Sequence, residues 1–140
     1  MDMKTLSPDV FISYNHLSVN LVEKIAKRLE SEKINCWYAP RNLDDEGAGE
    51  LYDDIIAKTI PKVSVVVVIV TDSALASKWV KMEVTMADDI GKSIIPFEIA
   101  PTNIINGLTQ RLAIRHKIVA YPNPEEKIVT IQRLSHSAHR

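Results

Sequence analysis

The sequence predicts an α/β protein, a parallel β-sheet with helices on both faces. Three observations carry this expectation. Strand-like and helix-like stretches alternate along the chain with short links between them. The run from Val63 to Val70 does not alternate apolar with polar residues, so both of its faces need cover, as in the middle of a parallel sheet. And 140 residues suit one domain with an adequate core of its own.

The elements follow in order. Asp9 to Ser13 reads as a first strand centred on Val10, Phe11 and Ile12. A helix runs from about Ser18, the expected N-cap, to about Glu32, with Leu21, Val22, Ile25, Ala26 and Leu29 at helical spacing. Ile34 to Tyr38 is a second strand. A loop rich in Pro, Asp and Gly, Ala39 to Gly49, leads into a helix over roughly Glu50 to Ile60. The Val63–Val70 run is the third strand, Thr71 to Lys78 a loop, and Trp79 to Ile90 a helix stopped by Gly91. Ser93 to Ile99 makes a fourth strand, Thr102 to Leu112 a short or irregular helix, and His116 to Tyr121 a fifth strand. Asn123-Pro124-Glu125-Glu126 opens a last helix reaching about Leu134, with proline at its start and acids in its first turn. Five strands in this length imply the flavodoxin-like order 2-1-3-4-5. Ligands then belong beyond the strand C-termini, near the switch between strands 1 and 3.

Composition narrows the function. The chain is 46% hydrophobic and 25% charged, and 17 basic against 18 acidic residues leave a net charge of −1. No basic run exists to grip a phosphate backbone, so direct nucleic-acid binding is not expected. Cys36 is the single cysteine, which excludes an internal disulfide and a cysteine-rich zinc site. The longest apolar stretch, Val65 to Val70, is too short to cross a bilayer, and the start resembles no signal peptide. A cytoplasmic domain with no membrane partner is the expectation. The four glycines, Gly47, Gly49, Gly91 and Gly107, give neither a dinucleotide fingerprint nor a P-loop, since Met86 stands where a P-loop would need its first glycine. The four histidines are not spaced as a helical metal pair, and no metal site or bound cofactor is expected.

The helix after the third strand is the informative place. Trp79, Glu83, Met86 and Ile90 form one stripe, and Val80, Val84 and Ala87 the adjacent one. Burial of both stripes is expected, and Glu83 is the only charge within them. A carboxylate among apolar side chains costs free energy unless it is paired or used. The spacing alone admits two readings, a glutamate at the stripe's edge reaching water, or one kept for chemistry. Tyr14 after strand 1, Trp37 and Tyr38 at the end of strand 2, and Trp79 gather four of the eight aromatic residues at the ligand-binding end of this topology. A carboxylate with aromatic walls suits a substrate that has a flat ring and a sugar. The alternative for Trp37 and Tyr38 is simple alternation between core and surface. Cys36 reads as a packing residue and His16 as a surface loop residue.

Five pieces in order carry a family resemblance: Asp9-Val-Phe-Ile-Ser-Tyr14, Cys36-Trp-Tyr-Ala-Pro-Arg41, Val65 to Val70, Ser77-Lys-Trp-Val-Lys-Met-Glu83 and Gly91-Lys-Ser-Ile-Ile-Pro-Phe97. Over nearly its whole length the chain resembles a Toll/interleukin-1 receptor (TIR) domain of the bacterial type. The resemblance implies cleavage of NAD+, as substrate, at its nicotinamide–ribose bond. The glutamate of the Trp-x-x-x-Glu motif falls on Glu83, and the substrate-lining aromatics fall on Tyr14 and Trp79. The loop from Ala39 to Gly49 matches the BB loop of the family, which makes TIR–TIR contacts. Arg41 within it reads as a ligand for phosphate or a partner carboxylate, or else as a solvated loop arginine. Asp44-Asp45-Glu46 stands where the family often has a Pro-Gly turn.

The resemblance also implies that residues 1–140 are the effector module of a larger protein. Its partners would be other TIR domains and a fused or associated sensor, in a setting such as anti-phage defence. The alternative is a TIR scaffold that makes homotypic contacts without catalysis. A response-regulator receiver shares the topology but needs an acidic pair after strand 1, where Tyr14-Asn15-His16 stands. A nucleoside deoxyribosyltransferase, which also uses one glutamate on a similar sheet, is the nearest enzymatic rival.

Overall fold

The computed structural model describes residues 8–39 and 52–138. Five strands form one sheet in the order β2-β1-β3-β4-β5, every neighbouring pair parallel. They are β1 (Val10–Ser13), β2 (Cys36–Trp37), β3 (Val65–Val70), β4 (Ser93–Glu98) and β5 (Ile118–Val119). The expected order and parallel sense are those found. The edge strands β2 and β5 are shorter than their apolar runs suggested, since each has a partner on one side only. All six residues of β3 are buried, as its unbroken apolar run requires.

The helices divide between the two faces. On one lie α1 (Val19–Ser31) and α6 (Ile128–Ala138). Val22, Ile25, Ala26 and Leu29 of α1 and Ile128 and Ile131 of α6 pack on Val10, Ile12, Val65, Val67 and Phe97. On the other lie α2 (Tyr52–Thr59), α3 (Asp72–Leu75), α4 (Lys78–Asp89) and α5 (Gly107–Ala113). Ile55 and Ile56 of α2, Val80, Val84 and Ala87 of α4, and Leu108 of α5 cover Phe11, Val66, Val68 and Ile94 there. The strand period of two decides which residue faces which layer. Val10 and Ile12 look toward α1, so Phe11 and Ser13 look toward α4. That parity places Ser13 at the site.

Local chemistry starts and stops the helices. Ser77 caps α4 by accepting from the Val80 amide at 3.3 Å, and Thr71 caps α3 by accepting from that of Ala74 at 3.0 Å. The Thr71–Lys78 stretch, expected as a loop, therefore contains the short helix α3. Asn106 and Thr109 form a capping box that starts α5. Gly91 ends the turn after α4 at φ +77°, a conformation that other residues adopt at a cost. Ser18 does not cap α1 through its side chain; a 3-10 turn over His16–Ser18, capped by Asn15, precedes the helix instead. Among the described residues no helix is long and apolar enough to cross a membrane.

Candidate active site

A cavity of about 440 Å³ opens where the chain leaves β1. Its walls are Tyr14, Asn15 and His16 after β1, Ala39 after β2, Tyr52 of α2, and Ser77, Trp79 and Glu83 from the start of α4. These segments meet at the C-terminal edge of the sheet, on the switch between β1 and β3 that the topology marks for ligands. Among the described lining residues Glu83 is the only carboxylate, and there is no lysine or arginine.

Glu83 is 3% exposed. The helical period explains why. Val80, Glu83, Val84 and Ala87 share the face that α4 turns to the sheet, so the glutamate is buried in a row of apolar side chains. The two stripes expected from the sequence are corrected here. Trp79 is 51% exposed and Ile90 48% exposed, so the Trp79–Ile90 stripe is a flank of the helix and not its buried seam.

Both carboxylate oxygens have a donor. Ser13 Oγ donates to Oε1 at 2.6 Å, and the Tyr52 hydroxyl donates to Oε2 at 2.7 Å. Burial pushes the Glu83 carboxyl up from its ordinary 4.5 to about 7, while these two hydrogen bonds pull it the other way. Tyr52 is raised far above its ordinary range, first by burial and then by the charge of Glu83. Tyr14 is pushed up to about 12, chiefly by burial. Both phenols therefore remain neutral donors at physiological pH. The ring of Tyr52 meets Trp79 edge to face, with centroids 4.5 Å apart at 84°.

Of the residues singled out in the sequence, Glu83, Trp79 and Tyr14 meet at this cavity. Trp37 and Tyr38 do not. Trp37 is 3% exposed and stacks on Phe11, with centroids 4.8 Å apart at 10°, in the core beneath α2 and α4. Tyr38 is buried on the opposite face, its ring edge-on to Tyr14 at 6.3 Å. Neighbouring strand residues point to opposite faces, so the pair splits between the two cores. Tyr38 adjoins the site through Tyr14. Arg41 and the acidic run Asp44-Asp45-Glu46 lie outside the described residues. Cys36 is a buried packing residue whose thiol donates to the Ile34 carbonyl at 3.7 Å, and His16 is exposed at the cavity. Ser13 and Tyr52 were not anticipated. For Ser13 the signal was available, a polar residue ending an apolar strand on the face that α4 covers. Tyr52 gave none, because its partner is 31 residues away.

The family model for the TIR domain matches residues 10–129. The chain belongs to the TIR family. No curated protein matches it in sequence. Solved TIR domains share its fold at low identity. That of the Toll-related receptor TRR-2 from Hydra magnipapillata is 15% identical with a TM-score of 0.71, over 95% of this chain and 99% of the other. The TIR domains of the activated Roq1 resistosome, which directly recognises the pathogen effector XopQ, are 17% identical at 0.69, over 94% and 99%. Those of the RPS4 and RRS1 TIR heterodimer are 16% identical at 0.66, over 94% and 98%. In this TIR domain a buried carboxylate thus faces an aromatic-walled cavity at the ligand edge of the sheet.

Proposed function

We propose that this TIR domain cleaves NAD+ at the nicotinamide–ribose bond, with Glu83 as the catalytic carboxylate. The observation that carries the reading is the placement of Glu83 as the single carboxylate among the described residues of the cavity, buried yet held by two hydroxyl donors. Nicotinamide leaves as a neutral ring from a cationic one, so its departure needs no general acid. The ribose left behind carries oxocarbenium-like positive charge. A carboxylate in a site of low dielectric stabilises that charge and accepts hydrogen bonds from the ribose hydroxyls. Each carboxylate oxygen has a second lone pair beyond the one that Ser13 or Tyr52 occupies. Water as acceptor gives ADP-ribose, and the adenine of the same molecule gives a cyclic product. Incubation with NAD+ and measurement of free nicotinamide tests the reading. Absence of release at every protein concentration favours the scaffold, in which the Ser13–Glu83–Tyr52 cluster only knits β1, α2 and α4 together.

Trp79 supplies an exposed aromatic wall whose main described ring contact is Tyr52. Trp79→Ala is expected to raise KM for NAD+ about tenfold, the scale of one lost ring-stacking contact. The same change should lower the melting temperature by only about 3 °C, since an aromatic pair contributes roughly 1 kcal/mol. Kinetics measured beside thermal melting check both. A large fall in melting temperature with KM unchanged would make Trp79 a core residue.

Self-assembly belongs to the same proposal. TIR domains occur together in the RPS4–RRS1 heterodimer and in the Roq1 resistosome, and in this chain the cavity wall includes the exposed side chain of Trp79. A fused or associated sensor, as in anti-phage defence, would act by raising the local concentration of these domains. Specific activity is expected to rise with protein concentration from nanomolar to high micromolar. A flat line over that range would show a site complete within one chain.

A further inference from the structure

Glu83 is gripped from two sides, and the two grips differ in kind. Ser13 is fully buried, within β1, its hydroxyl on a short stem fixed by the strand. Tyr52 comes from a separate element, α2, lines the cavity, and touches both principal side chains of the site, Glu83 through its hydroxyl and Trp79 through its ring. One hydrogen bond leaves a carboxylate free to turn about its last torsion, which has no sharp minimum. A second bond, to the other oxygen and from another direction, fixes the plane. It also favours the charged form, which burial alone would neutralise.

We propose that Tyr52 is a positioning residue of this site: its hydroxyl fixes the Glu83 carboxylate through Oε2 and favours its charged form, while its ring braces Trp79. The inference rests on the reading of Glu83 as the catalytic carboxylate. Tyr52 acts through Glu83 and Trp79, so its loss changes their geometry and charge without removing either group. Among the described residues the surrounding groups leave this role to Tyr52. Toward Glu83 β1 presents Ser13, and the segment after it presents Tyr14 and, at the cavity, His16. Described charged groups of α3, α4, α5 and β4 are engaged elsewhere. Asp72 of α3 accepts from the Asn103 and Ile104 amides, Arg111 of α5 and the following Arg115 pair with Asp88, and Glu98 of β4 pairs with Lys117.

The test compares the wild-type chain with Tyr52→Phe, which keeps the ring and deletes the hydroxyl, and Tyr52→Leu, which deletes both. Two readouts are taken, the pH profile of kcat/KM for NAD+ and the melting temperature as a function of pH. Loss of one charge-assisted hydrogen bond to a carboxylate is expected to move the acid limb of the Tyr52→Phe profile upward by about one pH unit. Activity at pH 7 should then fall about fivefold, with most of it regained by pH 9 and KM little changed. Tyr52→Leu is expected to raise KM as well, through Trp79. The upper edge of the pH window in which the melting temperature falls should move upward by the same unit in Tyr52→Phe, while its lower edge, set by the unfolded chain, stays in place.

An acid limb and a melting window that coincide with those of the wild type would overturn the role of Tyr52 while leaving the enzyme reading intact. If the wild type releases no nicotinamide, the enzyme reading fails. The melting window then still decides whether the Tyr52 hydroxyl favours the charged form of Glu83. If the melt of Tyr52→Phe is too broad to give a window, the carboxyl carbon of Glu83, titrated by NMR at low temperature in Tyr52→Phe and the wild type, decides the same point. Titration at the same pH in both would overturn the proposal.

Discussion

Replacing Glu83 by glutamine is expected to reduce nicotinamide release from NAD+ at least about a hundredfold, the usual cost of removing one well-placed electrostatic stabiliser. That corresponds to about 3 kcal/mol of lost transition-state stabilisation. The structure makes this substitution an unusually clean one. A glutamine side chain has the shape of the carboxylate, its carbonyl oxygen can accept from Ser13, and its amide can donate to the Tyr52 hydroxyl oxygen, which has lone pairs to accept with. The cluster that ties β1 and α2 to α4 therefore survives in rearranged form. What disappears is the negative charge. Loss of activity with an undiminished melting temperature at pH 8 is the expected pairing. A variant that releases nicotinamide at near wild-type rate would remove Glu83 from the chemistry.

The sheet could be read from the sequence because its strongest strand needs no context. Six consecutive buried residues from Val65 to Val70 specify the centre of a parallel sheet, and the alternation of elements around them fixes the rest. Glu83 was legible too, as a lone charge among apolar positions at helical spacing. Which stripe of α4 is buried was not. A twelve-residue span with apolar side chains on two adjacent rows does not say which row meets the sheet, and Trp79 and Ile90 look as apolar as Val80 and Val84. The sheet decides, because Phe11, Val66 and Val68 accept only one face of the helix. Trp37 was open between two readings for a related reason: a strand-end aromatic points to a site or into the core according to its register, and its pairing with Phe11 sends it inward. The Tyr52 hydroxyl bond was out of reach because α2 and α4 are brought together only by packing on the same face of the sheet.

Activity and stability are expected to move in opposite directions as pH rises through 7, and the cause is again the burial of Glu83. With its carboxyl pushed up to about 7 by desolvation, the ionised form that chemistry requires is the minor species below that pH. From pH 8 down to pH 5, kcat/KM should fall about a hundredfold, close to tenfold per unit on the acid side. Stability has the reverse sign. Between 4.5 and about 7 the folded chain holds a proton on Glu83 that the unfolded chain has released. The native state thus binds more protons in that window, and stability falls as pH rises through it. The contribution is fully present below the unfolded value and is lost above the folded one, roughly 3 kcal/mol in all. Glu83→Gln has no such proton to lose. Its melting temperature relative to the wild type should climb from pH 4.5 to pH 8, by about 10 °C if the full shift is expressed. Other titrating groups cancel in that difference when they are distant from position 83. Retention of the acid limb in His16→Gln would assign the limb to Glu83 and not to the exposed imidazole at the cavity. A difference in melting temperature that stays constant with pH would mean that Glu83 is ionised throughout, with Ser13 and Tyr52 outweighing burial. The fall in activity toward pH 5 would then vanish with it.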